Sequence, residues 1–295
     1  MRVDHLESLF IEKTTLTADQ ARQLEQIATE RFTISNCDIG DQVAGSLSGV
    51  RCKRIILKKL RLSDKALTTI LSNQFLRGVE VEEIRGCTAE GWRGLAHLVG
   101  VSLTNCDFTD DAFRHLLECT YIELRNTQVT GVAMESLKTH SLQSLVLSGC
   151  PVSDKGLEKL QELPALVRLD LSGTAITDEG IRKLPEMPML RHLNLNGTAI
   201  TDEGLQKLPE LPRLRELDLS GTAITDEGFQ NFFVSPDLYE IRLTGTKVTK
   251  AWGVEFSRQH QGSNPVDKLR VNFQNDARWP PRGGLCMAGE FRLFK

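Results

Sequence analysis

The octapeptide GTAITDEG stands three times in this chain, at Gly173–Gly180, Gly197–Gly204 and Gly221–Gly228, and so sets a period of 24 residues. Written from its leading leucine the unit is LxxLxLxxTxITDEGLxxLxxLP, and that first position falls on Leu142, Leu166, Leu190, Leu214 and Leu238. Walked toward the N-terminus with small slips in length, the same template places first positions at Leu6, Thr29, Cys52, Leu76, Leu98 and Cys119, making eleven units of 21 to 24 residues. The fourth unit is irregular, because Ile84 to Cys87 carries one residue more than the template allows. After the eleventh, a polar segment from Ser257 to Pro265 leads to VDKLRVNF, where Leu269 and Val271 read as one last strand. The repeats thus extend to residue 273, and 274–295 reads as a C-terminal cap or tail.

Within each unit the LxLxx core alternates with period two, which predicts a short strand with leucines on one face. In the eighth unit Leu169 and Leu171 point inward, and Arg168, Asp170 and Ser172 point out. The following ITDEGL predicts a helix start, with Thr177 as N-cap and the acids Asp178 and Glu179 in the first turn, where the helix dipole favours them. Ile181 and Leu184 form its buried stripe, and Pro185, Pro209 and Pro212 stop the helices after about two turns. Thr174, Thr198, Thr222 and Thr246 recur where the chain leaves the strand, and Cys37, Cys106 and Cys150 take the same slot, as expected for small side chains that bond the backbone at a bend. One unit cannot bury both strand and helix, so neighbours stack. Because helices are wider than strands, the stack curves into an α/β horseshoe lined inside by a parallel sheet.

The motif LxxLxLxxTxITDEGL resembles the leucine-rich repeat, and its TDEGL version is similar to the cysteine-containing repeats of F-box-type ubiquitin-ligase adaptors and to tandem arrays of bacteria, planctomycetes in particular. The resemblance implies recognition of protein or peptide partners on the concave face and brings no catalytic residue. The adaptor's F-box and the catalytic domain of bacterial ubiquitin-ligase effectors have no counterpart in the few residues flanking the repeats. A receptor or effector role in a ubiquitin-ligase or GTPase system is the alternative within binding.

Composition agrees with a repeat scaffold. Leucine supplies 42 of 295 residues while aromatics supply 6%, a skew foreign to a sandwich or a dinucleotide-binding enzyme. Thirty-six basic against 39 acidic residues leave a net charge of -3, too balanced for a nucleic-acid carrier or a polybasic membrane binder. The opening MRVDHLESLF has no apolar run of secretory length, and no membrane-spanning stretch occurs, which predicts a cytoplasmic protein. Seven cysteines without a CxxC pair point the same way and argue against a disulfide framework.

Rows of outward strand positions read the concave face. The central row runs Phe10, Thr33, Ile56, Glu80, Ser102, Glu123, Val146, Asp170, Asn194, Asp218, Arg242 and Arg270. Beside it run Glu12, Ser35, Lys58, Glu82, Thr104, Arg125, Ser148, Ser172, Asn196, Ser220, Thr244 and Asn272. Asp170, Asn194 and Asp218, closed by Arg242, read either as a copied soluble surface or as a groove for a basic peptide or helix. In the divergent half, Phe10, Ile56, Tyr121 and Val146 place apolar groups among charge, the mixture of an interface core. The basic run RCKRIILKKLRLSDK, with Arg54, Lys58 and Lys59, raises an anion or RNA reading, but Glu80, Glu82 and Glu83 on the next strand make it a charge ladder, with Lys58 opposite Glu82.

No phosphate loop, HExxH, GxSxG or dinucleotide fingerprint is present, and no cofactor is expected. The repeated Asp-Glu pairs read as solvated helix starts rather than acid–base or calcium groups. His115 and Cys119 are half of a metal site at most, since Cys119 is a core position. The Asn196-Gly197-Thr198 sequon is discounted on a concave strand. A nucleophile at Cys286 with His260 as base is the remaining enzymatic alternative. At the ends, Phe273, Trp279, Leu285, Phe291 and Phe294 offer a cap, whereas the first strand, Leu6 to Thr14, is an open edge inviting association with another chain.

Overall fold

The computed structural model describes residues 6–137, 141–160, 162–230, 232–259 and 269–273. Twelve parallel strands lie in one sheet in strict chain order: β1 (Leu6–Glu12), β2 (Ala28–Ser35), β3 (Arg51–Lys58), β4 (Gly78–Glu82), β5 (Gly100–Thr104), β6 (Tyr121–Arg125), β7 (Ser144–Val146), β8 (Arg168–Asp170), β9 (His192–Asn194), β10 (Glu216–Asp218), β11 (Glu240–Arg242) and β12 (Arg270–Asn272). Each strand is followed by an outer turn or helix, so one continuous core runs the length of the stack. It is built from the inward positions Phe32, Ile55, Val79, Val101, Ile122, Leu145, Leu169, Leu193, Leu217 and Ile241 and their partners two residues on. The solenoid and its repeat phase are as the sequence predicts.

The helices are shorter than expected. α1 (Ala18–Leu24), α2 (Asp41–Leu47) and α3 (Asp64–Leu71) make two turns, but α4 (Asp110–Phe113), α5 (Asp154–Leu157), α6 (Asp178–Ile181) and α7 (Asp202–Gln206) make about one. At α6 and α7 the following Pro185 and Pro209 contribute, because the residue before a proline is pushed out of the α region, whereas α4 ends with no proline behind it. Leu184, ahead of Pro185, is buried from the turn that follows α6, its N–H donating to the Ile181 carbonyl, and not from a second helical turn. The slot where the chain leaves the strand behaves as anticipated. Thr174, Thr198 and Thr222 donate from Oγ1 to the carbonyls of Leu171, Leu195 and Leu219 at 2.6 Å, and the Cys37 and Cys106 thiols face the carbonyls of Ser35 and Thr104 at 3.2 and 3.3 Å.

Asp178 and its equivalents are not simply solvated helix starts. Thr177 does cap α6, accepting from the Glu179 N–H, but the Asp178 carboxylate reaches into the next repeat. It accepts from the Thr201 N–H at 2.8 Å and the Thr201 hydroxyl at 2.6 Å. The same pair of bonds joins Asp64 to Thr88, Asp110 to Thr130, Asp154 to Thr177, Asp202 to Thr225 and Asp226 to Thr249. The aspartate of one unit thus holds the N-cap threonine of the next at Thr88, Thr177, Thr201 and Thr225. Glycine stands two residues after Asp202 and Asp226 because a Cβ on Gly204 or Gly228 would come within 2.2 or 2.4 Å of Oδ1 of the previous unit's aspartate, Asp178 or Asp202.

At the C-terminal end, α8 (Lys250–Gln259) lays Trp252 and Phe256 against Phe229, with ring centroids 4.4 and 5.6 Å away. The expected cap residues Trp279, Leu285, Phe291 and Phe294 lie outside the described residues. The last strand is present, but its register differs from the expected one by two residues: Arg270 lies opposite Glu240, and Asn272 opposite Arg242. Val271 and Phe273, not Leu269 and Val271, continue the two leucine rows, so Asn272 and not Arg270 ends the central concave row. The segment offers two equally alternating pairs, and only the ladder chooses between them.

Candidate functional site

The ladder pairs the remaining concave positions as predicted, from Phe10 opposite Thr33 to Asp218 opposite Arg242. Exposure then separates two halves. Asp170, Asn194, Asp218 and Arg242 are only 1, 4, 5 and 6% exposed, so this stretch is neither a solvated surface nor an open groove. The reason lies in the side chains themselves. Asp170 Oδ1 accepts from the Ser172 N–H at 3.1 Å, Asn194 Oδ1 from Asn196 at 3.0 Å and Asp218 Oδ1 from Ser220 at 2.9 Å. Each short side chain folds back on its own strand end and sits low between longer neighbours.

Those neighbours form a third row of Arg168, His192, Glu216 and Glu240, two residues before the central one, of which the sequence names only Arg168 as outward. Glu216 is fully buried. Tyr239 donates its hydroxyl to Glu216 Oε1, and burial together with that carboxylate pushes the Tyr239 phenol up. His192 Nδ1 stands 3.3 Å from Glu216 Oε2, though without hydrogen-bond geometry. Arg242 bonds Glu240 at 2.8 Å, and Arg168 Nη2 lies 3.5 Å from Asp170. The signal for this row was the side chain preceding each inward leucine, which the two rows read from sequence leave out.

Toward the N-terminus the strands are longer, five to eight residues in β2–β6 against three in β7–β12, and their polar side chains remain half-buried. Lys58 contacts Glu80 at 3.3 Å and Glu82 at 3.0 Å, and its hydrogen bond to Glu82 is the main reason that its ammonium is pushed up. Lys59 faces Glu83 at 3.7 Å, so the basic run is paired as a ladder. Arg125 donates from Nε to Glu123 at 2.8 Å. Of the four apolar candidates, Phe10 is 71% exposed at the sheet edge, Ile56 and Tyr121 are half-buried, and Val146 is 1% exposed, which removes it from any surface. They do not form one patch: by strand order Phe10 is two strands from Ile56 and five from Tyr121.

Between these halves the concave face carries a small open recess, lined by Arg54, Glu80, Ser102, Tyr121, Glu123, Ser144 and Arg168 over a floor of Val79, Val101 and Ile122. It exists because Gly78 and Gly100 occupy adjacent strands at positions where β3 carries Arg54 and β6 carries Tyr121. Tyr121 leans away, donating its hydroxyl to Gln143 Oε1 at 2.9 Å. Burial pulls the Arg54 guanidinium below its usual range, opposed in part by Glu80.

Among the described residues, no three His, Cys, Asp or Glu side chains gather as a metal-binding group, and no helix is long and apolar enough to cross a membrane. Cys119 is buried, its thiol 3.3 Å from the Leu98 carbonyl. The six described cysteines are all free thiols. Cys286 and His260 lie outside the described residues.

A family model of the Leucine Rich repeat matches residues 138–160, 163–184, 186–208 and 211–232. A search of curated proteins finds no match. Among solved structures, the internalin inlF from Listeria monocytogenes is similar over 88% of this chain and 71% of its own, with 18% identity and a TM-score of 0.61. The TLR13 chain of a TLR13–ssRNA13 complex is similar over 81% of this chain at 19% identity and a TM-score of 0.56, and this chain spans only 36% of its length. The plant peptide hormone receptor RGFR1, in complex with RGF2, gives 83% and 44% coverage, 17% identity and a TM-score of 0.51. At these identities the likeness is one of fold, and together with the four matched repeats and the twelve-stranded sheet it gives the chain a leucine-rich-repeat solenoid fold.

Proposed function

We propose that this chain is a non-enzymatic scaffold that binds a protein or peptide on its concave face, across β3–β8. The observation that carries the reading is the recess over Gly78 and Gly100, the one place where the described concave strands leave out two adjacent side chains and keep half-buried polar groups around the gap. A preformed sheet holds those groups without the entropic cost of ordering loops, so binding strength comes from breadth and rigidity. The peptide hormone receptor among the structural neighbours binds its ligand as a protein of this fold, whereas TLR13 is seen with single-stranded RNA. The pairing of Lys58 with Glu82 on β4, and of Lys59 with Glu83 just beyond it, favours a protein ligand here.

Affinity capture tests this with Ser102→Arg/Tyr121→Asp on the concave face and Glu203→Lys/Glu227→Lys on the exposed convex edge. Proteins retained by the wild type are expected to fall at least tenfold with the first pair and to persist with the second. The reverse pattern, or equal recovery with both, overturns the reading. The identity of a partner so captured decides between a self-standing scaffold and a receptor within a ubiquitin-ligase or GTPase system.

A second contact is proposed at the sheet edge. β1 pairs with β2 on one side only, no other described strand lies beyond it, and Leu9, Ile11 and Leu24 remain half-buried there beside exposed Phe10. Unpaired strand edges of this kind recruit another strand. Light scattering is expected to show a larger mass for the wild type than for Ile11→Lys; two equal monomer masses would remove the proposal.

A further inference from the structure

Along the row that lines one wall of the recess, the side chains run Arg54, none at Gly78, none at Gly100, Tyr121, Ser144 and Arg168. The row is therefore low in the middle and cationic at both ends. By the usual strand spacing its two arginine backbones stand about 24 Å apart, a span that about seven residues of extended peptide bridge. The acids in the recess already have their own cations: Glu80 is met by Lys58 and Glu123 by Arg125. Arg168 differs from them. Its side chain is nine-tenths buried, its Nε–H has no hydrogen-bond partner among the described residues, and its contact with Asp170, at 3.5 Å, is long. Asp170 directs its other oxygen to the Ser172 N–H and hydroxyl, so this carboxylate is largely occupied by its own strand.

A buried guanidinium N–H without an acceptor is costly to leave so, and a charge-assisted bond from it to a carboxylate is about twice as strong as a neutral one. Arginine's planar fork matches a carboxylate, and Ser144, on the neighbouring strand, adds a hydroxyl beside it. From this geometry we infer that Arg168 and Ser144 form an acidic-residue subsite, which receives the side-chain carboxylate of an Asp or Glu of the bound peptide while the glycine notch accommodates its backbone. The inference rests on the concave-face reading above and specifies what that face selects. An amide in place of the carboxylate gives up the ionic bond but keeps the shape, so discrimination between Glu and Gln is the expected signature.

The probes are N-acetyl-glutamate-N-methylamide and its glutamine counterpart, which present one side chain without charged termini. Titrated into the full chain and followed by the arginine Nε–Hε resonances, the glutamate probe is expected to shift the Arg168 signal and to bind about tenfold more tightly than the glutamine probe. Arg168→Gln abolishes the difference, Arg168→Lys restores only part of it, and Ser144→Phe, which fills the recess and leaves Arg168 in place, weakens both probes. Equal binding of the two probes, or discrimination that survives Arg168→Gln, overturns the inference. If Arg168→Gln fails to fold, the Ser144→Phe titration decides: an undiminished glutamate signal refutes the subsite. Should the probes not be discriminated while Ser102→Arg/Tyr121→Asp still loses its partner, the subsite is wrong and the concave reading stands. Discrimination between the probes, with a partner indifferent to that pair, upholds the subsite and removes the concave reading.

Discussion

Gly156→Ala is expected to lower stability by about 3 kcal/mol or more, read as a shift of the urea midpoint with unchanged slope. A Cβ on Gly156 would lie 2.4 Å from the Thr130 carbonyl oxygen and 3.0 Å from Gly131 Cα, both backbone atoms of the preceding repeat. That backbone cannot step aside, because Asp110 grips it. One carboxylate oxygen accepts from the Thr130 N–H and hydroxyl at 2.9 and 2.7 Å, and the other from the Gly131 N–H at 3.0 Å and the Ala133 N–H at 3.4 Å. Asp110→Ala removes the grip and leaves partly buried donors unmet, a loss of about 2–3 kcal/mol. Since it also frees the loop to retreat, the double variant should be less destabilised than the sum of the two, a coupling that a double-mutant cycle measures directly. Additive losses would mean that Asp110 does not hold the loop. Gly204→Ala serves as the milder comparison: its Cβ meets the Asp178 carboxylate, which can swing away at the loss of its two bonds to Thr201. Gly173→Ala meets nothing closer than 3.7 Å and should show only the strain of a left-handed backbone at φ +63°, about 1 kcal/mol.

These glycines show where the sequence could be read and where it could not. Period, phase, strand positions, N-caps and the threonine slot all follow from one octapeptide, because each expresses a local constraint repeated every unit. The Asp178–Thr201 bond is also periodic, yet its partners are 23 residues apart and its nature appears only once two units are stacked. The burial of Asp170 and Asp218 was hidden for a related reason. Alternation along a strand tells which face a side chain takes, but not whether it stands up into solvent or bends onto the next peptide N–H. The recess depended on two glycines that fall in register on β4 and β5, a coincidence of position that no single repeat reveals. Val146 illustrates the limit from the apolar side: its outward position is correct, and it is nonetheless covered.

The cysteines provide the largest expected effect of solution conditions. Burial pushes the thiols of Cys52 and Cys119 up to about 12 and, with smaller contributions from nearby acids, those of Cys87 and Cys106 up to about 11, from an ordinary value of 9.0. Below pH 9 these groups are protonated in both folded and unfolded chains and do not affect the balance. Above it the unfolded chain releases their protons while the folded one retains them until pH 11–12, so the unfolded state is favoured progressively as pH rises. Each thiol then removes about 1.4 kcal/mol per pH unit, and four of them together about 5 kcal/mol at pH 10. Tyr239, raised by burial and by Glu216, acts in the same direction. Urea midpoints should accordingly be flat from pH 7 to 8.5 and fall steeply between 9 and 10.5. Replacing Cys52 and Cys119, which sit at the first core position of their repeats, with alanine lowers the midpoint at neutral pH through lost packing but removes about half of the alkaline slope due to these four thiols. A slope unchanged in that variant would assign the alkaline loss to groups other than the buried thiols. The same burial that makes these cysteines a liability in alkali keeps them protonated and unreactive at neutral pH, so within the repeats they act as core side chains.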